Sequence, residues 1–209
     1  MEQASTDSGW RGSPELWLQA ACDALLESGI EAVKILPLAR RLGLSRTSFY
    51  WFFEDREQLL AALVARWRDK NTSGIVRQSE AYAESLAEAM LNLFDCWLDS
   101  ELFDTRFEFA MRSWALQSSG ILAEVQEADR IRMEALKRMF LRFGHSDITA
   151  DVRARTTYLV QIGYISMQSR EDLAERMKRI PEYITIFTGQ EPEQRELARF
   201  YARHGYKPE

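Results

Sequence analysis

Apolar residues recur along this chain every three or four positions, the period of a helix that buries one face. Ser13-Pro14-Glu15 opens the first such stretch with a cap, a proline where no N–H is needed, and an acid in the first turn. Trp17, Ala20, Ala21, Ala24, Leu25 and Leu26 carry its apolar face until Ser28-Gly29 stops it. Leu38, Ala39 and Leu42 share one face of a second helix, and Gly43 ends it. Ser45 caps a third, in which Phe49, Phe52 and Phe53 form an inward stripe. Asp55, with Gln58 three residues on, gives a fourth helix a capping-box start, and Leu59, Leu60, Leu63, Val64 and Trp67 its apolar face.

Asn71-Thr72-Ser73-Gly74 reads as the break before a second half. Beyond it the spacing predicts helices from Ile75 to Asp99, Thr105 to Gln117, Ile121 to Phe143, Ile148 to Met167 (capped by Asp147), Arg170 to Phe187 and Pro192 to Arg203. Glu108 and Arg112 are placed for an i,i+4 pair, and Pro181 predicts a kink or break. No stretch alternates with period two, and no repeat is evident. The fold class is therefore all-α: a loose arm over 1–12, an N-terminal three-helix helix-turn-helix domain closed by the fourth helix over 13–70, and a larger helical domain over 71–209.

The run from Leu38 to Phe53 carries the clearest chemistry. A short helix, a glycine corner, a plugging Leu44, a serine cap and a second short helix make the pattern of a DNA-binding helix-turn-helix. Arg46, Thr47, Ser48 and Tyr50 fall at the start of the reading helix, where side-chain donors meet base edges. The same hairpin occurs in helical bundles that bind no DNA, and charge weighs against that alternative. The chain has 27 Lys and Arg against 32 Asp and Glu, net −5, yet no acid lies between Glu31 and Glu54, while Lys34, Arg40, Arg41 and Arg46 do. The DNA-contact candidates are Lys34, Arg40, Arg41, Ser45, Arg46, Thr47, Ser48, Tyr50, Trp51 and Arg56. Arg40 and Arg41 point about 100° apart, so at most one of them reaches a phosphate well.

Other chemistries find little support. No apolar run is long enough to span a membrane, and Met1–Gly12 lacks the basic and apolar regions of a signal peptide. Cys22 and Cys96 sit in apolar helical patterns, expected as buried reduced thiols rather than a disulfide. His145 and His204 have no partner at metal-ligand spacing, and neither a glycine-rich phosphate loop nor a nucleophile elbow is present. No enzyme, metal or cofactor is expected. Glu124, Glu127, Asp129 and Glu134, mixed with Arg130, Arg132, Lys137 and Arg138, read as a solvated face.

The second half is rich in aromatics, most of them core. Some are expected to line a ligand cavity between helices. Trp114, Tyr158, Gln161 and Tyr164 offer polar handles, Met90 and Met111 adaptable walls, and Trp97 and Phe107 ring faces. One reading head makes too few contacts for specific binding, so two must be joined. The expected joint is the late helices, with Ala154 and Gly163 allowing close approach and Leu159, Ile162, Ile165, Ile180, Ile184 and Phe187 supplying apolar area.

Gly29, Leu38-Ala39, Gly43-Leu44-Ser45, Phe49-Tyr50, Phe53 and Arg56-Glu57-Gln58-Leu59-Leu60 fall in the order and spacing of the TetR family of bacterial transcriptional regulators, which the first third of the chain resembles. The chain departs from it at three places. Lys34 stands where the family often has a capping threonine, Thr47 where a small residue is common, and Phe52 where a histidine or tyrosine is usual. Arg112-Ser113-Trp114-Ala115, Ala128-Asp129-Arg130 and Arg153-Ala154-Arg155 look like one subgroup and name no ligand. The resemblance implies a cytoplasmic homodimer on a double-stranded palindromic operator, most often a repressor, whose variable second domain binds a small-molecule effector. The alternatives are a DNA-associated scaffold, or a helical protein-interaction module, without an effector.

Overall fold

The computed structural model describes residues 12–169 and 171–208, and these are mostly helical, with no strand among them. The expected arm lies outside the described residues except for Gly12, and so does Arg170, the expected start of the penultimate helix. The chain forms two compact units, the first ending at Arg66 and the second beginning at Trp67.

In the first unit, α1 (Pro14–Ser28) starts where expected, with the Ser13 hydroxyl accepting from the Leu16 N–H. A single 3₁₀ turn (Ile30–Ala32) leads into α2 (Ile35–Leu42). Gly43 ends α2 at φ 65°, a left-handed conformation that costs glycine little and other residues more. After this corner come α3 (Arg46–Phe49) and α4 (Arg56–Trp67). Trp17, Leu38, Phe49, Leu59 and Leu63 are fully buried together, with Phe49 edge-on to Trp17 at 5.3 Å and stacked on Phe53 at 5.4 Å. The reading helix is shorter than its apolar spacing predicts. Four residues suffice to carry Phe49 inward, and turns deliver Phe53 to the same core while Phe52 stays half-exposed.

The predicted break at Asn71–Gly74 is absent. A π-helical stretch (Arg68–Thr72) runs straight from α4 into α5 (Ser73–Glu80). Packing explains the turn-forming residues there. The Asn71 amide, fully buried, exchanges bonds of 3.0 Å with the backbone of Asp104 and donates to Glu108. A Cβ on Gly74 would lie 2.0 Å from the Leu102 carbonyl, so glycine admits a neighbouring backbone here rather than ending a helix. The true interruption falls inside the helix predicted over Ile75–Asp99. Ser85 caps α6 (Leu86–Leu98) by accepting from the Glu88 N–H, a serine-x-x-glutamate start overlooked among the surrounding acids.

The remaining helices lie near their predicted spans: α7 (Thr105–Ala115), α8 (Ser119–Arg142), α9 (Asp147–Ser166), α10 (Leu173–Thr188) and α11 (Gln194–Arg203). Ser146, not Asp147, caps α9, and α10 runs through Pro181 without ending. The core of this unit is built from α6, α8, α9 and α10 around Met90, Leu93, Leu136, Phe140 and Ile184. Cys96 is buried in it as a free thiol, which burial pushes up to about 12, and Cys22 is buried in the first unit and joined in no disulfide.

Candidate functional site

Two arrangements in the first unit bear on DNA binding: the corner between α2 and α3, and the basic groups around it. The Ser45 hydroxyl accepts from the Ser48 N–H and lies 2.9 Å from the Ser48 hydroxyl, which fixes the first turn of α3. Ser48 is therefore buried, against the expectation that it faces solvent. Ser45, Arg46, Thr47, Tyr50 and Trp51 are exposed, Trp51 by 62% despite its size. The Arg46 guanidinium donates to the Tyr50 hydroxyl at 2.9 Å and stands 5.7 Å from the centre of its ring. The two residues expected to carry different parts of DNA binding are thus in contact with each other.

The other cations sort by their partners. Arg41 makes a two-point bridge to Glu27, both bonds 2.7 Å, and lies 3.7 Å from Asp23, so it ties α2 to α1. Arg40, pointing elsewhere, is exposed and makes no ion pair among the described residues. Lys34 stands at the start of α2 without capping it, its ammonium 3.6 Å from Glu31 on the exposed surface. Arg56, expected as a phosphate clamp, donates instead to the carbonyls of Val33 (2.6 Å) and Ile30 (3.2 Å). Those carbonyls have few other partners, so Arg56→Ala is expected to lower the stability of the first unit by about 1–3 kcal/mol. Urea unfolding should show the earlier midpoint, and binding to DNA at low urea should keep its salt dependence.

The second unit holds two polar features. The first is a buried ionic cluster. Glu108 and Arg132, both fully buried, meet at 2.8 Å, and Glu108 also accepts from the Trp67 indole at 2.8 Å and the Arg112 Nε at 3.0 Å. Arg112 bridges on to Asp129, which accepts from the Tyr158 hydroxyl at 2.6 Å. Arg132 stacks its guanidinium over Trp67 and Phe103. Arg132 and Asp129 thus leave the solvated face predicted for them, whereas Glu127 and Arg130 do pair on the surface. The pairing of Glu108 with Arg112 is as predicted.

The second feature is an open-mouthed hollow in the surface between α6, α9 and α10. Of the eight expected ligand residues, Trp97, Gln161 and Tyr164 line it. Met90, Phe107 and Met111 are packed in the interior, Trp114 is buried elsewhere, and the Tyr158 hydroxyl serves the ionic cluster. Phe94, Thr157, Arg176, Tyr183 and Phe187 line the hollow without having been singled out as ligand contacts. Aromatic content could flag the rings. Arg176 reads in sequence as one more charge on an amphipathic helix.

The helices expected to join two copies divide in the same way. Ala154, Ile165, Ile180, Ile184 and Phe187 are buried within their own unit. Ile148, Val152 and Leu159 are exposed by 54–70% and fall on one face of α9 with Gly163, beside which a Cβ would meet nothing within 4 Å.

Residues 18–63 match the family model for bacterial regulatory proteins of the tetR family. No curated protein matches the chain. Among solved structures, it is similar to AmtR of Mycobacterium smegmatis, at 18% identity over 99% of this chain and 100% of that one, with a TM-score of 0.59. A transcriptional regulator from Rhodococcus sp. Rha1 is likewise 18% identical, over 92% of this chain and 97% of that one, with a TM-score of 0.55. At such identity the likeness is one of fold.

Proposed function

We propose, for a chain whose residues 18–63 match the model of the tetR family of bacterial regulatory proteins, the role of a ligand-responsive repressor that grips a palindromic operator as a homodimer in the cytoplasm. The observation that carries this reading is the exposed Ser45-Arg46-Thr47 turn, presented beyond a glycine corner and flanked by Arg40 and Lys34 with no acid on the intervening chain. Arg46 and Thr47 reach base edges, Tyr50 and Arg40 the backbone, and Lys34 a phosphate in place of the family's capping threonine. Among the described residues no helix is long and apolar enough to cross a membrane.

The dimer joint follows from the α9 face of Ile148, Val152, Leu159 and Gly163. Two such faces pair isologously, and the two reading heads then meet successive major grooves. A molecule seated in the hollow favours a spacing of the heads that fits the operator poorly, and repression is relieved by that population shift. A scaffold without an effector has less support, because a hollow lined by rings and polar groups opens on the second unit.

Titration of DNA in rising salt tests the reading. Affinity is expected to fall steeply with the logarithm of salt concentration, and Lys34→Ala to flatten that slope by about one unit. An unchanged slope removes Lys34 from the interface. Binding that ignores salt altogether contradicts the role.

A further inference from the structure

The hollow carries its polar groups unequally, and that inequality points to a class of ligand. Arg153 of α9 donates to the Phe187 carbonyl, and the Tyr164 and Tyr183 hydroxyls meet at 2.7 Å, so α9 and α10 run antiparallel. Thr157 therefore lies toward the Phe187 end, and Arg176 toward the opposite end, beyond the tyrosine pair. Between them the walls are flat rings. Phe94 stands 4.9 Å from Trp97 and 6.4 Å from Phe187, and Tyr183 stacks on Phe187 at 5.6 Å.

The Arg176 end pairs a half-buried cation with one buried donor that lacks an acceptor, and Glu171 completes its lining. Arg176 gives one bond, at 3.2 Å, to the Trp97 carbonyl, and makes no ion pair among the described residues. Burial pushes its guanidinium below the ordinary range, although Glu171 acts against this. The neighbouring Arg179 is already bridged to Glu171. The Trp97 indole N–H is buried with no acceptor, and at the far end the fully buried Thr157 hydroxyl has no partner either. A buried polar atom left in this state costs stability that a bound molecule can restore.

We propose that the hollow receives a small aromatic monocarboxylate, its ring among Phe94, Tyr183 and Phe187 and its carboxylate on Arg176. A half-buried guanidinium with no ion pair of its own matches a single planar anion bonded at two points, and the Glu171 carboxylate on the same lining disfavours a phosphate dianion. This identification rests on the ligand-responsive reading above and supplies the chemistry of its effector.

Calorimetric titration of the full chain with 3-phenylpropionate, its primary amide and 3-phenylpropylamine tests it. The acid is expected to bind at least about tenfold more tightly than the amide, and the amine more weakly still, since bonds to charged groups outweigh neutral ones. Arg176→Gln should erase the preference for acid over amide, and Arg176→Lys should restore part of it. Equal binding of acid and amide, an undiminished preference in Arg176→Gln, or no heat with any of the three overturns the proposal. Band shifts on operator DNA separate this from the wider reading. An acid that binds without altering operator affinity sinks ligand response and leaves the chemical class standing. A neutral molecule that releases the operator where the acids do not bind does the reverse.

Discussion

Glu108→Ala is expected to destabilise the second unit by about 3–5 kcal/mol, the cost of taking its nearest anion from a fully buried cation. Arg132 has no exposed surface and would keep the hydroxyls of Thr72 and Tyr158, the two aromatic faces and the more distant Asp129 carboxylate at 4.0 Å as partners. Arg112 would retain Asp129. Calorimetric or urea unfolding measures the loss, and a change no larger than that of a surface substitution would contradict it. Exchanging Glu108 for leucine and Arg132 for methionine together should recover much of the stability, because the pair's own desolvation offsets most of its attraction. Burial alone would raise the Glu108 carboxyl, but Arg132 and Arg112 outweigh it and hold the group below its ordinary value of 4.5. The carboxylate's contribution is therefore complete above that value and is lost as pH falls through the lower, folded one. The wild type should weaken more steeply in acid than the double variant.

Arg46→Ala is expected to weaken operator binding by about 1–3 kcal/mol per reading head and to relax the preference at one base position of each half-site. Its two-point guanidinium is held in the free protein by the Tyr50 hydroxyl and ring. Tyr50→Phe keeps the ring beside the guanidinium, so it should cost little base preference and reduce affinity for all sequences about equally. Band shifts against a panel of single-base operator variants read both effects. If the ranking of variants survives Arg46→Ala unchanged, Arg46 is not the base reader.

The fold was largely legible because helical period and caps speak locally. Ser13, Gly43 and Ser45 mark helix ends through bonds and backbone angles within their own few residues. Asn71 and Gly74 misled for the opposite reason. Their turn chemistry is overridden by Glu108, Asp104 and Leu102, tens of residues away, and nothing local reveals that. The reading turn was likewise visible, but not the division among its cations. Arg41 and Arg56 look like Arg40 and Lys34 until Glu27, Val33 and Ile30 are placed beside them. In the hollow, the rings could be found from composition alone. The solitude of Arg176 is a property of three helices at once.

The most direct test of the central claim is selection of bound sequences from a random double-stranded DNA pool by the full chain near physiological salt, followed by sedimentation of the complex. The account predicts a two-fold symmetric sequence whose half-sites lie about one helical turn apart, or a multiple of it, bound by a dimer through α9. Leu159→Asp should lose that selection while its first unit remains folded. Recovery of no common sequence, or of a single unpaired half-site held by one copy, would contradict it.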